Sequence, residues 1–142
     1  MPTPSAFSYA VVRVVPHVER EEFVNAGVVV FCDSADFLGA CIALDETRLL
    51  ALAPDADLPL VRKHLAAIPL VCAGGPAAGP IGALSARERW RWVVAPRSTV
   101  LQMSPAHTGL CQSPDEELER LAALLVRGTV IRPAASSRRS GR

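Results

Sequence analysis

Three familiar signatures are missing from this chain, and each absence narrows what it can be. Its four cysteines, Cys32, Cys41, Cys72 and Cys111, form no C-x-x-C pair, which removes the common zinc and dithiol patterns. Apolar runs such as Ala26–Cys32 and Phe37–Leu44 fall far short of the ~20 residues that cross a bilayer. Residues Met1 to Tyr9 carry neither a basic start nor a long apolar stretch, so no secretory signal and no membrane association are expected. The default compartment is cytoplasmic. Charge of one sign is also lacking: 15 basic residues face 14 acidic ones, for a net charge of +1. Such a balance exerts no global pull on nucleic acid, so any charged partner must be met by a local patch.

What is present is apolar material. Half of the 142 residues are hydrophobic and 20% are charged, enough for one core in a single domain without metal or disulfide support. A hairpin turn at Asp33–Asp36 would set Cys41 opposite Val28, four residues from Cys32. That is about 13 Å along the strand, beyond the roughly 7 Å a disulfide spans. The cysteines are therefore expected as buried free thiols.

Period-two alternation predicts a strand over Ser8–His17, with Arg13 as the polar exception. Glu19–Asn25 reads as a short helical turn closed by Gly27 in a left-handed cap. Val28–Cys32 and Phe37–Leu44 read as a hairpin apolar on both faces. Asp45 is suited to cap a short helix, and Asp55 or Asp57 a second one running to about Ala73. The buried stripe of that second helix would hold Leu60, Val61, His64, Leu65 and Ile68. Pro69 is expected to kink or divide it, and Gly74 to Gly82 reads as a loop. Ser85-Ala86-Arg87-Glu88 and Ser113-Pro114-Asp115-Glu116 both read as capping boxes. Trp90, Val93 and Val94 would point inward from the first, and Leu118, Leu121, Ala122 and Leu125 from the second, with Gly128 ending it. Ser98–Met103 reads as a fourth strand. These elements add up to an α+β fold: one domain over residues 1–132, an antiparallel sheet of about four strands packed by about four helices. A disordered basic tail over 133–142 follows.

Polar residues inside apolar elements are where chemistry is sought, since burying them unpaired costs about 1–3 kcal/mol. Arg13 either pairs with Glu22 or Asp45, sits at a strand edge, or offers its guanidinium fork to an anion. Arg97, Ser98 and Thr99, at a helix-to-strand junction, could cradle a phosphate or carboxylate, or could simply cap the preceding helix and its turn. Gln102 shares the following strand. His107 lies in the loop before the last helix, where an imidazole could act as acid or base. Glu22 and Asn25 sit ahead of the hairpin, Glu22 as a candidate base and Asn25 as a tie for the turn. His107 and Cys111 are the only close His/Cys pair, too few for a metal site, so neither metal nor cofactor is expected. The run Arg87 to Trp92 could stack unpaired bases, but helical spacing turns Trp90 to the core, and nucleic-acid binding ranks last.

Arg91 to Leu110, RWVVAPRSTVLQMSPAHTGL, together with Tyr9–His17 and Glu22-Phe23-Val24-Asn25-Ala26-Gly27-Val28, resembles the bacterial family called domain of unknown function 3037. The most specific block is Ala95-Pro96-Arg97-Ser98-Thr99 followed by Ser104-Pro105-x-His107-Thr108-Gly109. The resemblance covers nearly all of the chain except the tail and implies no catalytic residue or cofactor. It does imply a partner, a kinase-like protein similar to HipA encoded beside such members. The expected function is thus a non-catalytic interaction or regulatory module that binds a partner protein, with the eight residues named above as candidate ligand contacts. The alternatives are an enzyme or binder acting on an anionic or phosphorylated small ligand, and a single-stranded nucleic-acid binder.

Overall fold

The computed structural model describes residues 3–96 and 100–128. Strands β1 (Ser5–Val14), β2 (Val24–Cys32) and β3 (Phe37–Ile42) form an antiparallel meander. Helices α1 (Glu46–Leu52), α2 (Leu58–Ala73) and α3 (Ala86–Val94) follow, then β4 (Leu101–Met103), β5 (His107–Cys111) and α4 (Pro114–Ala122). The fold is α+β with one open antiparallel sheet, ordered β3-β2-β1-β4, in which β5 also pairs with β1.

One long strand organises this sheet. One edge of β1 takes β2, from Ser8↔Phe31 to Val14↔Val24. Its other edge is shared by two short strands: β4 along Val12–Val14 and β5 along Ser5–Tyr9. At the gap between them the N–H of Val11 donates to Ser104 Oγ at 2.8 Å, and the N–H of Ser104 donates to the Val11 carbonyl at 2.9 Å. One serine thus replaces a ladder rung.

The alternation of β1 and β2 builds two cores. Ala10, Val12 and Val14, with Val29 and Phe31, pack against Leu49 of α1, Val61 and Leu65 of α2, and Trp90 and Val93 of α3. Phe7, Val28, Val30 and Cys32 pack on the other face against Leu121 and Val126. Helices therefore cover both faces, and β2 is apolar from Ala26 to Cys32 because both of its sides are buried there.

Several expectations hold. Asp45 and Asp57 cap α1 and α2 by accepting from the N–H of Arg48 and Leu60. Ser85 and Glu88 form the reciprocal box of α3. Cys41 does lie opposite Val28, and all four cysteines are free. Gly128 closes the chain's last turn at φ 72°.

Others are corrected. The Glu19–Asn25 helix is instead a 3-10 turn at Val18–Arg20, and Asn25 and Gly27 already belong to β2. Gly27 is needed for space rather than for φ: a Cβ there would meet Ile42 Cδ1 at 2.7 Å and the Cys41 carbonyl oxygen at 2.8 Å. Pro69 does not divide α2, which runs unbroken from Leu58 to Ala73 while Leu65 before it and Val71 after it are both held in the core. Leu60, placed on the buried stripe of that helix, is 38% exposed. The Gly74–Gly82 loop contains 3-10 turns over Pro76–Ala83, broken at Gly79. Ser113 forms no capping box, because its hydroxyl bonds the Asp115 carboxylate instead of a backbone N–H. The presumed loop at His107 is a fifth strand. The basic tail from Pro133 lies outside the described residues.

Candidate functional site

The site is built by strand pairing. A bulge between Val12 and Arg13 leaves Ala26 without an opposite residue and brings Asn25 level with Arg13. On the far side Arg13 pairs with Gln102. Arg13, Asn25 and Gln102 therefore lie abreast across three strands on one face of the sheet, with neighbouring Cβ atoms roughly 5 Å apart.

Arg13 meets neither of its expected carboxylates. Its guanidinium carbon lies 4.2 Å from the ring centroid of Phe23, the residue just ahead of β2, a cation–π contact. Among the described residues Arg13 has no ion pair, and its Nε is buried without a hydrogen-bond partner. Asn25 donates from Nδ2 to the Leu125 carbonyl at 3.0 Å, which ties the turn at Ala123–Arg127 to the sheet. Its Oδ1 is likewise buried and unpaired. A donor and an acceptor thus remain unspent side by side, while Phe23 is 45% exposed.

The remaining candidates separate from this row. Glu22 is held by Arg20, Nε to Oε1 at 2.7 Å, and that hydrogen bond keeps its carboxyl below the usual range. A carboxylate stabilised in its charged form is a poorer base. His107 pairs with Tyr9, its ring 5.2 Å from the tyrosine ring. Four residues of β1 separate Tyr9 from Arg13, about 13 Å, with buried Val11 between them. Arg97, Ser98 and Thr99 lie outside the described residues. The strand pairing brings Arg13, Asn25 and Gln102 together; Glu22 is engaged by Arg20 and His107 lies further along β1.

The arginine-rich helix is largely occupied with structure. Arg87 pairs with Asp33. Arg89 donates to the carbonyls of Val71 at 3.0 Å, Cys72 at 2.5 Å and Leu84 at 3.0 Å, holding the end of α2. Trp90 stacks on Phe31 inside the core, centroids 5.9 Å apart. Little of this helix is left to stack bases. Among the described residues no group of three or more His, Cys, Asp or Glu side chains is arranged to hold a metal ion.

Sequence reasoning missed Phe23 as the partner of Arg13, the ladder role of Ser104, and the contact of His17 with Asp55 at 3.1 Å. An aromatic residue inside the turn predicted over Glu19–Asn25 is the only local hint of the first. No single helix among the described residues is long and apolar enough to cross a membrane.

An antiparallel sheet clad on both faces, with an arginine seated on a ring between two carboxamides, defines an α+β domain bearing a polar row across three strands. The chain belongs to the family described as protein of unknown function DUF3037, which it matches over residues 9–126. No curated protein and no solved structure matches it.

Proposed function

We propose that this protein is a non-catalytic binding module of the bacterial cytoplasm that docks a partner protein through the face carrying Arg13 and Phe23. The observation that carries the reading is the stacked guanidinium. Arg13 rests on a ring that is 45% exposed, without a carboxylate from its own chain among the described residues. Arginine and aromatic side chains are the types that dominate binding at interfaces. The ring fixes the guanidinium while its fork of donors stays suited to an acidic side chain. Asn25 and Gln102 would supply flanking hydrogen bonds.

The partner to test first is the HipA-like kinase that the family resemblance implies. Mixed at micromolar concentration, the two should co-elute in size exclusion. Arg13→Ala combined with Phe23→Ala should weaken the complex by at least ~2 kcal/mol, the threshold for a hot spot, with the thermal midpoint unchanged. Clean separation of the wild-type proteins would sink the kinase as partner, and a complex indifferent to the double substitution would sink the face.

A second reading draws on the same unpaired guanidinium, which suits a small phosphorylated or carboxylated ligand. Calorimetric titration with pyrophosphate separates it from the first: a saturable signal lost in Arg13→Ala supports it, and a flat titration removes it. An enzymatic version lacks support from Glu22, already engaged by Arg20, and from His107, whose ring lies tilted against Tyr9.

A further inference from the structure

A cleft of about 500 Å³ opens where α2, α3 and β4 meet, lined by His64 and Ile68, Trp92 and Val94, and Leu101 and Met103. Of the row described above only Gln102 also lines it; Arg13, Phe23 and Asn25 do not. Pockets of roughly 300–1,000 Å³, apolar with a few polar groups, are the usual size and character of small-molecule sites.

Its chemistry is legible from the lining. Among the described residues no Lys, Arg, Asp or Glu lines it, and His64 is the sole titratable side chain of that described lining. A charged ligand would be stripped of water there with no counter-charge from the described lining to meet it, which is strongly disfavoured. Apart from His64, Gln102 and the Trp92 indole the described walls are apolar, and a flat indole favours a ring in offset or edge contact.

Two polar features complete the site. The half-buried His64 makes no hydrogen bond among the described residues and so has a ring nitrogen to offer. The second is main chain. The N–H of Val15 donates to the Val100 carbonyl, and the N–H of Ser104 to that of Val11. In an antiparallel ladder such rungs alternate, so Val100, Gln102 and Ser104 turn their polar groups toward β1. Met103 must then turn its N–H and C=O toward the open edge of the sheet. Burial of an unpaired group is costly, and a ligand with one hydroxyl or amide could satisfy these.

We infer that this cleft is a binding site for a small neutral aromatic molecule bearing one hydrogen-bonding group, held between Ile68 and Trp92 and anchored at His64.

The test is calorimetry and NMR titration of the full chain with 2-naphthol, with naphthalene-2-carboxylate as its charged counterpart. Saturable one-to-one binding of 2-naphthol is expected with a dissociation constant on the order of 0.1–1 mM for a ligand of this size. The carboxylate should bind at least tenfold more weakly. Ala67→Trp, an exposed position on the cleft wall, should lower 2-naphthol affinity at least tenfold, whereas Ala66→Trp, exposed beside it and outside the lining, should not. Independently of any variant, the indole N–H resonance of Trp92 should shift on titration more than that of Trp90, which lies in the core. Absence of saturation, equal affinity for the carboxylate, or a Trp92 resonance that stays put while 2-naphthol binds would overturn the assignment.

Discussion

Ser104 Oγ accepts a 2.8 Å hydrogen bond from the N–H of Val11, in the middle of the longest strand, at the one point on that edge where neither β4 nor β5 reaches. Ser104 is the only buried polar residue among those described, 5% exposed, and its hydroxyl in turn donates to the Pro105 carbonyl at 2.9 Å. A side chain is thus part of the sheet's ladder. Ser104→Ala would leave the Val11 N–H buried and unpaired, so a loss of about 1–3 kcal/mol is expected, read by urea unfolding. A variant as stable as wild type would mean that water or a backbone shift repairs the gap.

Gly27 makes a similar point in the backbone. Its Cβ position is occupied by the Ile42 side chain and by the Cys41 carbonyl, both closer than 3 Å. The Ile42 methyl can rotate aside, but the carbonyl belongs to the paired strand and cannot move without loosening β2 and β3. Gly27→Ala should therefore destabilise by about 1–3 kcal/mol, as overpacking does. Pairing it with Ile42→Val should recover only part of that loss. Full recovery would show that the side chain, not the backbone, sets the limit.

The contrast between these two residues and the helix caps explains what could be read from the chain. Asp45, Asp57 and the Ser85/Glu88 pair act within three residues of themselves, so local spacing revealed them. Gly27, Ser104 and Phe23 owe their roles to partners far away in sequence, and no local pattern carries that information. His107–Cys111 contains a glycine and two exposed polar residues and has little strand character of its own. It becomes β5 because β1 offers it an unpaired edge. The candidate site divides in the same way. Arg13 was conspicuous as a charge on an apolar strand, but its neighbours depended on a bulge at Ala26 that shifts the register by one residue.

Acid should weaken the fold through its carboxylates. Glu46 of α1 grips Arg62 of α2 with two hydrogen bonds, 2.7 and 2.6 Å, and the hydrogen bonds from Arg62 hold its carboxyl below the ordinary value of 4.5. A carboxyl with a depressed folded value adds stability that is complete above the unfolded value and is lost as pH falls through the folded one. The gap in urea midpoint between wild type and Glu46→Gln should accordingly be present at pH 6 and close as pH drops below about 4. Because the pair is exposed, the gap is expected to be small and to shrink in high salt. A gap that widens on acidification would contradict this sign.

Cys72 offers a probe of the end of α2. It is 5% exposed, and burial pushes its thiol up to about 12 despite the opposing field of Arg89. The thiolate is the reactive form, so at pH 8 only about one molecule in ten thousand would carry it, and a reagent would still have to reach it. Labelling must therefore wait for local opening of the helix end that Arg89 clamps through the carbonyls of Val71, Cys72 and Leu84. Under native conditions with excess Ellman's reagent, Cys41, half-buried on β3, should react well before Cys72, with the order read by mass spectrometry of digested protein. Arg89→Met removes the clamp while keeping an apolar stem. It should speed Cys72 labelling by roughly tenfold or more, as expected when opening becomes about 1.4 kcal/mol easier, and leave the Cys41 rate unchanged. If both thiols accelerate equally, the substitution has lowered global stability and the clamp is not local. If neither does, the helix end is held by its apolar contacts alone.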